Sequence, residues 1–337
     1  MNQTFHDDSD FNSSIYNPGF VPVLYFLMFP VALLLNGVAA WVSLHIKSTS
    51  NFVVYLKNLV AADIIMTLIL PIQIVRDLPF VSHGIHILSC YFSAIFYCTQ
   101  YTCITLLGFI SLDRFFKIMI PHNKLFGLTF SKLVSGSVWI ILFGCSALPN
   151  ILLNKSVTNV TEIKTCMELK APVGLIIHEK IVICLNVFFW FVSAVVIVCY
   201  ICIANKVIQS FRNSGSSNSQ GQQKIKLRVF VVLVVFFGSF GPYHIFQFMY
   251  TSHQVNSYSY ASRSFLSLKL VKDLSHWFAC TNICMDPLLY VFLCREFKEK
   301  LTSMMKDVVV WFRAASPNKA ADALPQSAMS KTELRCH

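Results

Sequence analysis

The sequence predicts an all-α protein: a bundle of seven membrane-spanning helices, followed by a short amphipathic helix on the cytoplasmic side. Three observations predict it. The apolar residues fall into seven long blocks, only 13% of the 337 residues are charged while 55% are hydrophobic, and the basic residues concentrate in alternate connections. A soluble globular chain is nearer 25% charged. The 30 phenylalanines suit helices that face lipid as well as one another. A net charge of +11 would point a soluble protein toward nucleic acid. Distributed as it is here, the charge is a topology signal, and no nucleic-acid partner is expected.

The predicted spans are residues 21–46, 52–75, 87–118, 133–153, 178–208, 229–250 and 268–293. Each can cross a hydrocarbon core of about 30 Å as a helix. Residues 1–20 carry Asp7, Asp8 and Asp10 and no Lys or Arg, so they lack the basic and then apolar order of a cleavable signal peptide, and the first span itself directs insertion. The third span is the one the others are arranged around. Cys90 lies near one end, Asp113-Arg114 closes the other, and the 24 positions from Cys90 to Arg114 give about 36 Å of helix. Prolines interrupt the second, fourth, sixth and seventh spans at Pro71, Pro149, Pro242 and Pro287. Each frees a backbone carbonyl and permits a kink.

Lys47 follows the first span, Lys117, Lys124 and Lys132 surround the connection after the third, and Arg212, Lys224, Lys226 and Arg228 mark the one after the fifth. Positive residues stay cytoplasmic, so the amino terminus is expected outside and the carboxyl terminus inside. The sequons at Asn2, Asn12, Asn154 and Asn159 all fall in segments that this rule places outside. The polar, Gly/Ser-rich run 213–221 is expected to be mobile. In all, the chain divides into an extracellular glycosylated start (1–20), the seven-span domain (21–293), an amphipathic juxtamembrane helix on membrane lipid (294–312) and a disordered cytoplasmic tail (313–337).

Most of the 12 cysteines sit within spans, where a free thiol behaves as a small hydrophobe. Cys90 and Cys166 alone fall in predicted outside positions and are the expected disulfide. Cys294, beside the surface helix, is a candidate for palmitoylation. Asn36, Asp63, Asn282 and Asp286 are polar groups inside spans, which are expensive unless they function or pair. Neither Gly-x-Ser-x-Gly nor His-Glu-x-x-His occurs, so no enzyme, metal or cofactor is expected. A transporter or channel would use the same buried acids along a pathway and would show inverted repeats, of which the sequence gives no sign.

Asn36-Gly37, Leu59 with Asp63, Leu112-Asp113-Arg114-Phe115, Trp139, Phe240-Gly241-Pro242 and Asp286-Pro287-Leu288-Leu289-Tyr290 resemble, in order, the landmarks of rhodopsin-like G-protein-coupled receptors. The resemblance implies that Arg114, partnered by Asp113, holds the inactive state and receives the G protein. It implies that Tyr200 and Tyr290 repack on activation, that Phe240, beside Pro242, is a toggle under the ligand, and that Asp63, Asn282 and Asp286 form a central polar network with Asn36.

Phe52 to Asn58, Leu148-Pro149-Asn150, Pro242-Tyr243-His244 and Asn282 to Pro287 further resemble the purinergic branch that holds the ADP and UDP-glucose receptors. That resemblance implies an extracellular anionic ligand, a nucleotide or nucleotide sugar, and an inhibitory G protein. The matching pocket positions are Tyr97, Asn150, Lys170, His178, His244, Gln247, Tyr250 and Lys272. Lysines supply charge to phosphate and a tyrosine supplies a stacking face. For each lysine the alternative is a solvated loop edge, and for His244 a satisfied core histidine. Four departures bear on the ligand, the first being Val182 in place of a polar residue at the outer part of the fifth helix. Gln247 stands where the branch carries a cation, residues 1–20 and 253–268 hold no cysteine for a second disulfide, and one residue is missing between Cys90 and Tyr97. A lysophospholipid is the competing ligand class.

Overall fold

A chain with this many apolar residues in lipid must satisfy its backbone polar groups within each segment, which leaves helices as the solution. The computed structural model describes residues 19–47, 50–76, 78, 81–120, 127–155, 165–213, 219–256 and 263–315. Its helices are α1 (Phe20–His45), α2 (Asn51–Arg76), α3 (His83–Met119), α4 (Leu128–Leu152), α5 (Pro172–Asn213), α6 (Ser219–Asn256), α7 (Arg263–Cys280), α8 (Asn282–Leu293) and α9 (Arg295–Ala315). Six of them, α1 to α6, are long and apolar enough to cross a membrane. The stretch Ser267–Leu293, α7 with α8, supplies the seventh, and α9 leaves it at 98°.

α3 is central. Of its most apolar stretch 72% is buried, against 28% for α1 and 22% for α4, whose outer faces are apolar and uncovered. Every residue from Cys98 to Leu106 is buried. The hydroxyls in and just beyond that run are tolerated because they bond back to their own helix: Thr99 to the Ile95 carbonyl, Thr102 to Cys98, Thr105 to Tyr101 and Ser111 to Leu107. Gly108 permits close approach to α5, since a Cβ there would lie 2.9 Å from Val192 Cγ1.

The prolines act locally. Pro149 has no N–H for the Cys145 carbonyl, and α4 widens into a π-helical stretch, Phe143–Ala147, with Leu148 N–H donating to the Phe143 carbonyl. The Asn150 amide donates to the Ser146 carbonyl at 2.8 Å and stabilises the widened turn. Pro287 similarly frees the carbonyl of Ile283, and Asn36 Nδ2 of α1 takes its place as donor at 2.9 Å. Thr281 separates α7 from α8, its hydroxyl donating to the Phe278 carbonyl.

Several boundaries differ from expectation. α5 runs to Asn213 and α6 begins at Ser219, so the polar run after the fifth span is helical at its far end. α3 begins at His83 and α9 reaches Ala315, into what was expected as tail. The residue missing before Tyr97 leaves α3 unbroken, and Cys90 still bonds Cys166 with Cα atoms 5.5 Å apart.

Candidate functional site

At the Cys90 end of the bundle, the described residues on either side of 156–164 pair antiparallel, 153–155 against 169–171, as the two arms of a hairpin. Lys155 N–H donates to the Leu169 carbonyl, Ala171 N–H to Leu153, and Asn154 bridges Lys170. The first turn of α5 fits against it because residue 174 is glycine. A Cβ there would overlap the Leu153 carbonyl oxygen and come within 3.1 Å of Leu153 Cβ. The Cys90–Cys166 bond fixes the hairpin to α3.

The hairpin delivers Lys170 into the bundle mouth, 7% exposed. Its ammonium donates to Asn150 Oδ1 at 2.7 Å, and His178 Nδ1 meets the same oxygen at 2.8 Å. An amide oxygen only accepts, so His178 carries its proton on Nδ1. Burial pulls the Lys170 amine down to about 8. Three of the expected pocket residues therefore form one hydrogen-bonded unit.

Across the mouth, Lys272 of α7 bonds Asp273 at 3.1 Å and holds its ammonium 5.2 Å from the centre of the Tyr250 ring. His178 lies within electrostatic range of both Lys170 and Lys272. Between them stand tyrosines. Tyr97 stacks on Tyr243, with ring centres 6.4 Å apart and planes 11° from parallel. Gln247 donates to the Thr251 hydroxyl at 3.1 Å, and its carbonyl oxygen is buried with no protein partner.

His244 is placed otherwise than expected. Its Nδ1 donates to the Phe240 carbonyl at 2.8 Å and its Nε2 meets the Tyr101 hydroxyl at 3.1 Å. Phe189 stacks on its ring at 3.6 Å. With 1% exposure and both nitrogens engaged, it sits as a satisfied core histidine above Phe240.

Sequence reading missed His276 and Tyr25. His276 follows Lys272 at i+4 and precedes Cys280 at i+4, one helix face, which was the available signal. It is buried among Tyr25, Phe96, Tyr97 and Tyr243, and its Nδ1 meets the Tyr25 hydroxyl at 2.8 Å.

Deeper in the bundle, Asp63, Asn282 and Asp286 are all buried, but among the described residues the side chains of Asn282 and Asp286 have no hydrogen-bond partner, so the expected network is joined only at Asp63. Tyr290 donates to Asp63 Oδ2 at 2.5 Å, the Cys103 thiol meets Asp63 Oδ1 at 3.7 Å, and Asp286 is buried within electrostatic range. Asn282 is buried with it, and Asn36 reaches the Thr67 hydroxyl at 3.4 Å. Below the network lies a cavity of about 30 Å³ walled by apolar residues such as Leu56, Leu59 and Phe236, with Tyr200 and Tyr290 both on its lining.

At the far end of α3 the expected Asp113–Arg114 pairing is not made. Asp113 is held by Lys117, one turn on, at 2.7 Å and by the Asn51 amide at 3.2 Å. Arg114 donates to the Leu293 carbonyl at 3.0 Å and lies 4.9 Å from the centre of the Phe52 ring. A lysine at i+4 and an amide facing it satisfy the carboxylate, leaving the guanidinium for the end of α8. Cys294 is likewise not as expected: it is 5% exposed and its sulfur accepts the Phe297 N–H. A thiol packed inward at the α8–α9 junction is not offered to an acyl group. Among the glycosylation positions, Asn154 lies in the hairpin, whereas Asn2, Asn12 and Asn159 fall outside the described residues.

Comparison with known proteins agrees with this layout. Residues 35–290 match the family described as 7 transmembrane receptor (rhodopsin family). The chain is 41% identical to human purinoceptor 13 over 286 residues, 84% of this chain and 80% of the relative. It is 36% identical to purinoceptor 14 of Bos taurus over 83% of this chain and 84% of the relative. It is also 30% identical to human G-protein coupled receptor 171, over 86% of this chain and 92% of the relative. Seven spans around a central helix, a disulfide-anchored mouth and this match place the protein among signalling receptors rather than enzymes: the chain belongs to the rhodopsin family of G-protein-coupled receptors, in its purinergic branch.

Proposed function

We propose that the chain senses an extracellular nucleotide or nucleotide sugar and signals through an inhibitory heterotrimeric G protein. One observation carries the reading. Lys170 and His178 meet on Asn150 Oδ1, and Lys272 holds its ammonium 5.2 Å from the Tyr250 ring, at a mouth where Tyr97 stacks on Tyr243. Cations that stay charged when partly dehydrated suit phosphate, and tyrosine faces suit a base. The chain's similarity to purinoceptors 13 and 14 supports the same ligand class.

The orientation follows from charge. With basic residues cytoplasmic, the amino terminus, the hairpin and the disulfide face outward, and Asn2, Asn12, Asn154 and Asn159 become glycan acceptors. Arg114 then faces the cytoplasm, as does an open cleft of about 680 Å³ between Met119 and the last turns of α5, where Lys206 and Arg212 lie. This face is the docking surface for the G protein, and α9 lies along inner-leaflet lipid with Val309, Val310 and Trp311 exposed. Ligand binding shifts a two-state bundle in which Tyr200 and Tyr290 repack around the small cavity and Phe240 moves with α6.

The test is inhibition of cAMP formation in cells expressing the full chain, challenged with ADP, UDP, UDP-glucose and lysophosphatidic acid. A nucleotide is expected to lower cAMP, and Lys170→Gln or Lys272→Gln to raise its half-maximal concentration about tenfold or more. Silence toward all three nucleotides from surface-expressed protein, with a response to lysophosphatidic acid, overturns the ligand class. Ion flux with unchanged cAMP overturns the receptor mechanism.

A further inference from the structure

At the Arg114 end of the bundle, α5 outruns the bilayer. Its 42 residues give about 63 Å of helix, twice a hydrocarbon core of about 30 Å. Its last turns therefore pass through the lipid headgroups, and the sequence changes there from Tyr200-Ile201-Cys202-Ile203 to Asn205-Lys206, then Gln209 and Arg212. These polar residues are not spread round the helix. Cys202, Asn205, Lys206, Gln209 and Arg212 recur at three- and four-residue spacing, which sets them on one side, turned from the side that buries Tyr200 and Ile203. With Met119 of α3 they wall the open cleft of about 680 Å³.

The cleft holds cations without counter-charge. Among the described residues neither Lys206 nor Arg212 is ion-paired, and residues 180–272 contain no Asp or Glu. The single acid of α3, Asp113, is already held by Lys117 and Asn51. Asn205 and Gln209 add amide donors along the same wall. Six residues separate the two cations, about 9 Å along the helix axis, so they suit two anionic groups at different depths rather than one. Beside them, Ile118, Met119 and Ile120 at the end of α3 are exposed and apolar. A soluble anion makes no use of that apolar lip. Phosphatidylserine meets the lip but carries its charge at a single depth. A phosphoinositide meets every feature: acyl chains, a phosphodiester at headgroup level, and ring phosphates further toward water.

We propose that this cleft binds a phosphoinositide of the inner leaflet, with Lys206 on its phosphodiester, Arg212 on its ring phosphates, and its acyl chains along Ile118 to Ile120. The inference goes beyond the nucleotide reading and rests only on the cytoplasmic placement of this end. It uses neither Arg114 nor any residue of the mouth. No α6 residue lines the cleft, so a bound lipid braces α3 against α5 and leaves α6 free to move.

The experiment titrates detergent-purified full chain with dioctanoyl phosphatidylinositol bisphosphate and counts bound lipid by native mass spectrometry. Dioctanoyl phosphatidylserine at matched total charge is the comparison. One phosphoinositide per chain is expected to bind saturably, and phosphatidylserine far more weakly. Lys206→Gln combined with Arg212→Gln should raise the half-saturating concentration about tenfold or more. Arg212→Lys should retain most of the binding, and Lys298→Gln combined with Lys306→Gln, two exposed charges on α9, should retain all of it. If the double cleft variant does not purify as a folded chain, Gln209→Glu replaces it, setting a carboxylate on the same wall as the two cations. Unchanged binding in the cleft variants overturns the site. An equal loss in the α9 variant reveals diffuse charge attraction and overturns it as well, and equal uptake of phosphatidylserine overturns the phosphoinositide assignment. Staining of a carboxyl-terminal epitope on intact cells would overturn the inner-leaflet placement, whereas silence toward nucleotides bears on the ligand reading alone.

Discussion

Lys170 shows how one residue's surroundings fix a measurable behaviour. A lysine pulled down to about 8 by burial is charged at pH 7 and loses its proton as pH rises past 8. Its ordinary value lies above its folded value, so the charged amine costs stability below about pH 8, and that cost is relieved as pH rises toward 10. An anionic ligand feels the opposite sign. Its potency is expected to fall between pH 7 and 9, and Lys170→Arg, whose charge persists throughout, should flatten the fall. Equal slopes in wild type and variant would remove Lys170 from the ligand's charge partners. Asn150 belongs to the same unit. Asn150→Ala removes the acceptor shared by Lys170 and His178, and should cost about 1.5–3 kcal/mol, read as a roughly tenfold or greater loss of nucleotide potency. These residues were legible in the sequence as pocket positions. That Lys170 and His178 meet on one amide oxygen was not, because it depends on how far the hairpin carries residue 170 inward. His244 was marked beside Pro242, yet Phe189 and Tyr101, 55 and 143 residues distant in sequence, are what seal it.

At the scale of an element, the helices were legible wherever lipid dictates them. The seven apolar blocks and the four marked prolines needed no tertiary information. The repairs to those prolines did. The Ile283 carbonyl freed by Pro287 is bonded by Asn36, an i−4 partner replaced by one 247 positions away. Asn36→Ala should therefore destabilise the bundle by about 1–3 kcal/mol, seen as a lowered melting temperature of purified protein. An unchanged melting temperature would mean that the freed carbonyl finds another donor. Gly174 makes a sharper case. Gly174→Ala must push the α5 end away from Leu153, and so loosen the hairpin that carries Lys170. Surface expression or nucleotide potency should drop, whereas Gly37→Ala, whose added Cβ meets nothing within 4 Å, should be neutral or slightly stabilising. Helix ends were the least legible part: α5 and α9 both run several residues further than their apolar blocks, since polar residues extend a helix freely once it leaves lipid.

Taken as a whole, the molecule connects its two ends through α3. Cys90 anchors the mouth, Cys103 touches the central network and Arg114 reaches the end of α8. Arg114→Ala is expected to abolish nucleotide-stimulated GTPγS exchange while leaving nucleotide affinity within about threefold, because Arg114 lies far from every cation of the mouth. Lost affinity would show instead that the whole bundle had rearranged. The sequence identified Arg114 from its neighbours Asp113 and Phe115. It could not identify the partner, since Asp113 has nearer suitors in Lys117 and Asn51.

The Arg114 contact has an evolutionary corollary. Its acceptor is the main-chain oxygen of Leu293, which belongs to no side chain and is present whatever residue occupies that position. Mutation scanning along α8 cannot delete it, and sequence drift there cannot erode it. It is broken only by moving backbone, at the junction where the chain turns through 98° into α9. The fastening between α3 and the end of the seventh span is therefore heritable through geometry rather than through residue identity.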